Sequence, residues 1–223
     1  MEWPLLASLP RDDRDRVLEL ARRRSFARGD VVFREGDPGD SLYLVESGVF
    51  AVQVSAPTGE RLTLNVMSPG GFFGELALLQ SKDAPRRSAT VLALVAAQTL
   101  TLTGTAFTAL RETHPAVESL VVTALAQRVE DLSARLLEAL YVGVDHRVYR
   151  RLVELAEIYG GRTAEIVIPL SQEDLATMAG ASRPTVNQVL QQLVTRDIVS
   201  LGRRQITIAD LDALRGAAPF LDE

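Results

Sequence analysis

"FGELALLQSKDAPRRSAT", from Phe73 to Thr90, puts a carboxylate, Glu75, ahead of a short apolar run, Leu76 to Leu79. Twelve positions after Glu75 stands Arg87, followed by Ser88, Ala89 and Thr90. An acid, an arginine and a hydroxyl thus bracket one loop between two apolar segments. The flanking chain, Asp30 to Leu102, is a series of short apolar segments cut by turn signals. These are Ala27-Arg28-Gly29-Asp30, Gly36-Asp37-Pro38-Gly39-Asp40, Ser47-Gly48, Thr58-Gly59-Glu60 and Ser68-Pro69-Gly70-Gly71. Short strands with glycine-rich turns at such spacing predict an antiparallel barrel or sandwich. Within it, "SLYLVESGVFAVQV" reads as a hairpin, Leu42 and Leu44 against Val49, Val52 and Val54 about a turn at Ser47-Gly48.

On either side the texture becomes helical. Leu5 to Arg24 has a helical period through Leu5, Leu9, Val17, Leu20 and Ala21. From Pro115 to Val142, Val122, Leu125, Val129, Leu132, Leu136 and Ala139 step by threes and fours. That is a heptad seam, and a stripe this narrow predicts a coiled coil between two subunits rather than a helix packed on its own barrel. Arg147 to Tyr159 reads as a further helix ended by Gly160-Gly161. Beyond it, Ser171 can cap a helix with Asp174 three residues on, Gly180 can make a tight turn, and Ser182 can cap a second helix with Pro184 in its first turn. A two-stranded wing around Gly202 follows. The combination predicts a winged helix-turn-helix and double-stranded DNA as a partner.

Composition narrows the classes. The 223 residues are 47% hydrophobic and 24% charged, enough for a sizeable core in one or two domains. No run of 18 apolar residues suggests a membrane span, and "MEWPLLASLPRDD" does not read as a signal peptide, so a cytoplasmic protein with no membrane partner is expected. There is no cysteine, hence no disulfide framework or thiol switch. A net charge of −5 argues against a nonspecific nucleic-acid coat but permits a local DNA-binding face. His114 and His146 both lie outside the strand region, which speaks against a metal-dependent jelly-roll enzyme. No enzyme, metal or cofactor is expected.

Together "FREGDPGDSLYLVESGVFAV", "FGELAL…RRSAT", the long helix and "GASRPTVNQVL" resemble the cyclic-AMP receptor protein family of bacterial transcription regulators over nearly the whole chain. The resemblance implies an α+β protein. Residues 1–114 would form an N-terminal antiparallel β jelly-roll of the cyclic-nucleotide-binding type, 115–142 a dimerisation helix, and 143–223 a winged helix-turn-helix domain. A ribose hydroxyl suits a carboxylate and a cyclic phosphate suits an arginine. The resemblance assigns Glu75 to the ribose 2′-hydroxyl and Arg87 with Ser88 to the phosphate. Gly74, Leu76, Ala77 and Ala89 complete the cassette, some through backbone N–H groups, with Arg86 a competing phosphate ligand. It assigns Leu132 and Ser133 to the base, the latter from the partner subunit. Leu132 cannot hydrogen-bond, so cyclic AMP is expected as the allosteric ligand with weakened discrimination against cyclic GMP.

On the DNA side the resemblance makes Arg183 a guanine reader. Pro184 stands where the family's best-known member has a glutamate, and Gln188 replaces a second base-reading arginine. Ser171, Ser182, Thr185, Arg203 and Arg204 are expected at phosphates, with Gln172 and Asn187 nearby. The hydroxyls compete with a capping role. Gly143 is the expected hinge or merely a helix boundary, and the loop Tyr159 to Glu165 the expected contact for RNA polymerase. A regulator answering to cyclic-di-GMP, cyclic GMP or another effector, or a nucleotide-sensing subunit acting on a protein, are the alternatives.

Overall fold

The computed structural model describes residues 3–7, 9–80, 84–160 and 165–217. Contacts divide the chain into two compact units, one of residues 1–60 and 64–132, the other of 61–63 and 133–223.

The first unit opens with α1 (Pro4–Ala7) and α2 (Arg11–Leu20). Strands follow: β1 (Arg22–Phe26), β2 (Val31–Phe33), β3 (Ser41–Ser47), β4 (Phe50–Ser55), β5 (Arg61–Met67) and β6 (Phe72–Phe73). A single helical turn, α3 (Glu75–Leu78), precedes β7 (Thr90–Ala93) and β8 (Ala97–Thr103). Then come α4 (Gly104–Thr113) and α5 (Pro115–Tyr141). The strands form two four-stranded sheets, ordered β1-β8-β3-β6 and β2-β7-β4-β5, and the registered pairs are antiparallel. The turn spacing predicts an antiparallel barrel or sandwich and the resemblance a jelly-roll, and two packed antiparallel sheets meet both expectations.

Strand β3 explains why "SLYLV" lacks an apolar–polar alternation. Leu42 and Leu44 join a core with Trp3, Leu5, Leu6, Phe107, Leu110, Val117 and Val121 from the helical layer. Tyr43 and Val45 join a second core with Phe26, Phe50, Phe73 and Val91. A strand covered on both faces reads as a continuous apolar run. The indole Nε1 of Trp3 donates to the Val45 carbonyl at 2.8 Å, tying the N-terminal turn to the same strand.

Two expectations are corrected. The helical period from Leu5 stops at Leu20, and Arg22–Arg24 lie in β1, paired with Thr99–Thr101. Ladder pairing with β8 overrides a local helical pattern there. The segment about Ser47-Gly48 reverses direction, but β3 and β4 belong to different sheets, so it is a corner and not a hairpin. Gly48 has φ +77°, and a Cβ there would lie 2.5 Å from the Ala97 Cβ. The corner therefore requires glycine.

The second unit carries the end of α5, then α6 (Val144–Tyr159), β9 (Ile166–Ile168), α7 (Gln172–Ala179) and α8 (Arg183–Thr195). It finishes with β10 (Val199–Gly202), β11 (Gln205–Ile208) and α9 (Leu211–Ala217). Strand β9 adds a third member to the wing, in the order β10-β11-β9. The capping box is present: Ser171 Oγ accepts from the Asp174 N–H at 3.2 Å, and Asp174 Oδ2 accepts from the Ser171 N–H at 2.8 Å. Gly180 ends α7 at φ 59°, ψ 47°, and the Ser182 hydroxyl caps α8 with Pro184 in its first turn. Gly143 caps α6 at φ −57°, ψ 153°, a conformation open to any residue.

No helix among the described residues is long and apolar enough to cross a membrane. Of the loop Tyr159 to Glu165, residues 161–164 lie outside the described residues.

Candidate nucleotide and nucleic-acid sites

A cavity of about 120 Å³ lies in the first unit, its wall running from Phe33 and Val52 through β5 and the cassette to α5. Gly74, Glu75, Leu76, Ala77, Arg87, Ser88, Ala89 and Leu132 all line it, so eight of the nine expected ligand residues converge. Ser133, assigned to the partner's pocket, does not line it.

The turn at Gly74 builds the charged end. Gly74 has φ +92°, and a Cβ would sit 2.8 Å from Arg87 Nη1 and 2.9 Å from the Ser41 carbonyl oxygen. Only glycine both adopts this turn and leaves room for the guanidinium. Arg87 Nη1 donates to the carbonyls of Ser41 (2.8 Å) and Gly74 (3.0 Å), and Nη2 donates to Ser41 Oγ (3.1 Å). Its guanidinium carbon lies 4.2 Å from the Phe33 ring centroid. Asp40 Oδ1 is 3.6 Å away but largely exposed. Burial pushes the Arg87 pKa down, opposed by Tyr43 and by Asp40, Asp37 and Glu75. Arg86, the competing candidate, is exposed, donates to the Gly36 carbonyl at 3.1 Å and does not line the cavity.

Glu75 is 1% exposed. One carboxylate oxygen accepts from Arg128 Nη1 of α5, and the other, Oε2, has no hydrogen-bond partner among the described residues. Arg128 also donates through Nη2 to the Phe72 carbonyl at 2.7 Å. Burial pushes the Glu75 pKa up, opposed chiefly by Arg128. An unpaired carboxylate oxygen on a cavity-lining residue can accept from an incoming hydroxyl, and Arg87 on the same wall is a cation for an anion. Arg128 was not among the expected ligand residues. Its spacing of one helical turn before Leu132 was the available signal. Asn65 on β5 and Asp131 on α5 also line the cavity and carried no sequence signal.

In the second unit, Ser171, Gln172, Arg183 and Arg204 meet around a polar groove of about 360 Å³, with Glu173 on its wall. Arg203 is exposed in the wing turn, where Arg204 takes φ 55°. Along α8, Val186, Val189, Leu190 and Leu193 are buried. Ser182, Arg183, Pro184 and Gln188 are exposed, and Thr185 and Asn187 half-buried. The expected DNA-reading side chains therefore share one presented face. The hydroxyls also cap: Ser182 Oγ bonds Thr185 Oγ1 at 2.8 Å, and Ser171 Oγ donates to Asp174 at 2.7 Å.

Along α5 the expected seam divides. Val122, Val129, Leu132, Leu136 and Ala139 are exposed, with Leu137, Leu140 and Tyr141 beside them. Leu125 instead packs against the core of its own unit. Among the described residues no group of three or more His, Asp or Glu could hold a metal ion.

A cyclic nucleotide-binding domain model matches residues 23–114, and a Crp-like helix-turn-helix domain model matches residues 146–217. The chain is 30% identical over 215 residues to the cyclic AMP receptor protein of Thermus thermophilus, covering 96% of each. It is 30% identical over 192 residues to the CRP-like cAMP-activated global transcriptional regulator of Mycobacterium tuberculosis, 85% of this chain and 84% of that one. Among solved structures, the c-di-GMP responsive global regulator CLP of Xanthomonas campestris has a TM-score of 0.75 at 21% identity. That match covers 87% of this chain and 96% of the other, a likeness of fold.

Proposed function

The chain belongs to the Crp-like family of cyclic-nucleotide-responsive transcription regulators, and on that premise we propose that it is a homodimer whose operator binding is controlled by a cyclic mononucleotide, cyclic AMP among its ligands. The observation that carries the ligand reading is the buried Glu75 Oε2, without a partner among the described residues, on a side chain that lines the same cavity as Arg87 and Ser88. A ribose hydroxyl donates to that oxygen, and the cyclic phosphate is held by the Arg87 guanidinium and the Ser88 hydroxyl. Each charge-assisted bond contributes about 1.5–3 kcal/mol.

The exposed stripe Val129, Leu132, Leu136 and Ala139 is the subunit seam. Burying it between two copies of α5 offsets the exposure of large aliphatic side chains to water. The dimer presents two copies of α8 to a near-palindrome with half-site centres about 10–10.5 base pairs apart. Arg183, exposed at the start of α8, reads a guanine edge. The ligand shifts the equilibrium between dimer conformations by its differential affinity for them.

Calorimetry with cyclic AMP and cyclic GMP, followed by a mobility-shift assay on selected operators with and without nucleotide, tests the reading. Nucleotide is expected to bind and to strengthen the shift. Failure of both nucleotides to bind rules out a cyclic mononucleotide. The paired substitution Val129→Glu with Leu136→Glu is expected to give monomers by light scattering. Leu125 is left unchanged, because it belongs to the core of its own unit.

A further inference from the structure

The polar groups around the cavity fall into two sets. Glu75, Arg87, Ser88 and Arg128 belong to the charged end already described. Two others have no part in it: Asn65 on β5 and Asp131 on α5, one helical turn beyond Arg128. The remaining wall near them is apolar, with Leu64, Met67 and Leu132. An aliphatic wall suits the flat face of a base but cannot tell one base from another. Any reading of the base edge by this subunit therefore falls to Asn65 and Asp131.

Local bonds set what each offers. Asn65 Oδ1 accepts from the Val66 N–H at 2.8 Å, which orients the amide and leaves Nδ2 as its outward donor. Asp131 Oδ1 accepts from Gln127 Nε2 at 3.2 Å, one turn back along α5, which steadies the carboxylate. An ionised carboxylate is acceptor-only and can take two parallel N–H bonds. The pair thus presents one donor and a two-oxygen acceptor. Guanine presents the complement, a carbonyl acceptor at O6 beside donors at N1 and N2. Adenine offers only its N6 amino group as a donor, next to a lone pair at N1 that a carboxylate repels.

We propose that Asp131, with Asn65, reads the base edge in this cavity, and that the pair makes cyclic GMP bind at least as tightly as cyclic AMP. This rests on the cyclic-mononucleotide reading of the same cavity. Asp131 is a specificity determinant, and the ribose and phosphate contacts are untouched by it. It is solvent-exposed in the single chain, so its replacement leaves the fold intact.

The test is calorimetry of the full-length protein with cyclic GMP, cyclic AMP and cyclic IMP, the last lacking the N2 amino group. The parent is expected to bind cyclic IMP about tenfold more weakly than cyclic GMP, the loss of one charge-assisted bond. Asp131→Asn should cost cyclic GMP about tenfold, change cyclic AMP less than about threefold, and erase the gap between cyclic GMP and cyclic IMP. Asn65→Leu should weaken cyclic GMP and cyclic IMP together by about threefold to tenfold, because both keep O6. Asp131→Glu should keep part of the guanine preference. If the parent binds both main nucleotides and their ratio does not move in Asp131→Asn, the role of Asp131 is overturned while the cyclic-nucleotide reading stands. If the parent binds none of the three, both fall.

Discussion

Each unit of this protein buries a glutamate against arginines, and the two clusters are built to opposite ends. In the second unit Glu138 is 8% exposed and both of its oxygens are paired, Oε1 with Arg150 and Oε2 with Arg151, each at 2.7 Å. Arg151 reaches on to Glu154 at 2.9 Å. This fork joins the last turns of α5 to α6 across Gly143. In the first unit Glu75 is buried more deeply, yet one oxygen goes to Arg128 and the other to nothing among the described residues. A buried polar atom left without a bond costs about 1–3 kcal/mol. One cluster is closed within the chain, while the other keeps an acceptor unpaired among the described residues, as the proposed nucleotide site requires. The same residue types make a clamp in one place and, on the proposed reading, a receptor in the other, and the difference lies in the leftover bonding capacity.

The contrast can be broken most forcefully at the clamp. Glu138→Ala leaves Arg150 and Arg151 buried beneath a missing counter-charge, and should lower stability by about 3–5 kcal/mol. Urea denaturation of the full chain reads this, while nucleotide affinity should change less than about twofold. At the receptor, Glu75→Gln should do the reverse. Nucleotide affinity should fall about 10- to 100-fold by calorimetry, with stability of the ligand-free protein altered by less than about 1 kcal/mol.

The pH dependence sharpens the same point. Burial holds the folded pKa of Glu75 above its unfolded value, so the ionised form is the one the fold disfavours. That cost is present above the folded pKa and is relieved as pH falls through it towards the ordinary value of about 4.3. The ligand-free protein should therefore gain stability from this group on acidification, while nucleotide affinity, which needs the ionised oxygen, declines over the same window. Glu75→Gln should remove both trends. The smallest expected effect is Arg86→Ala. The side chain of this exposed arginine donates to the Gly36 carbonyl, and its loss should shift affinity less than about twofold and stability by at most about 0.5 kcal/mol.

Much of this architecture was legible in the chain because local chemistry wrote it. The caps at Ser171 and Ser182, the turn at Gly180 and the cassette around Glu75 and Arg87 are signals carried within a few residues, and each stands where it was expected. What failed was set by distant partners. Ser47-Gly48 looks like a hairpin turn because nothing local distinguishes a turn within one sheet from a corner between two. Arg22–Arg24 continue a helical pattern until β8 claims them. Leu125 fits the heptad as well as Leu136 does, and only the core behind it separates them. Arg128, Asn65 and Asp131 reach the cavity from elements whose approach to the cassette is a property of the assembled roll.

The strand order β1-β8-β3-β6 also has a meaning in time. No two neighbours in that sheet are consecutive in the chain, and β1 and β3 both wait for β8, as in the pairs of Arg22 and Ser41 with Thr101 and Thr103. Closing long loops costs little per added residue but must precede any reward, so such sheets form late. The wing hairpin, with Gly202 opposite Gln205, has no such delay. On the ribosome, a nascent chain that has not yet released Ala97 to Thr103 holds β1 unpaired and one edge of β3 open, and those edges are exposed to misassembly. Synthesis that stalls ahead of β8 should therefore yield aggregates, and synthesis that stalls just beyond it a closed roll.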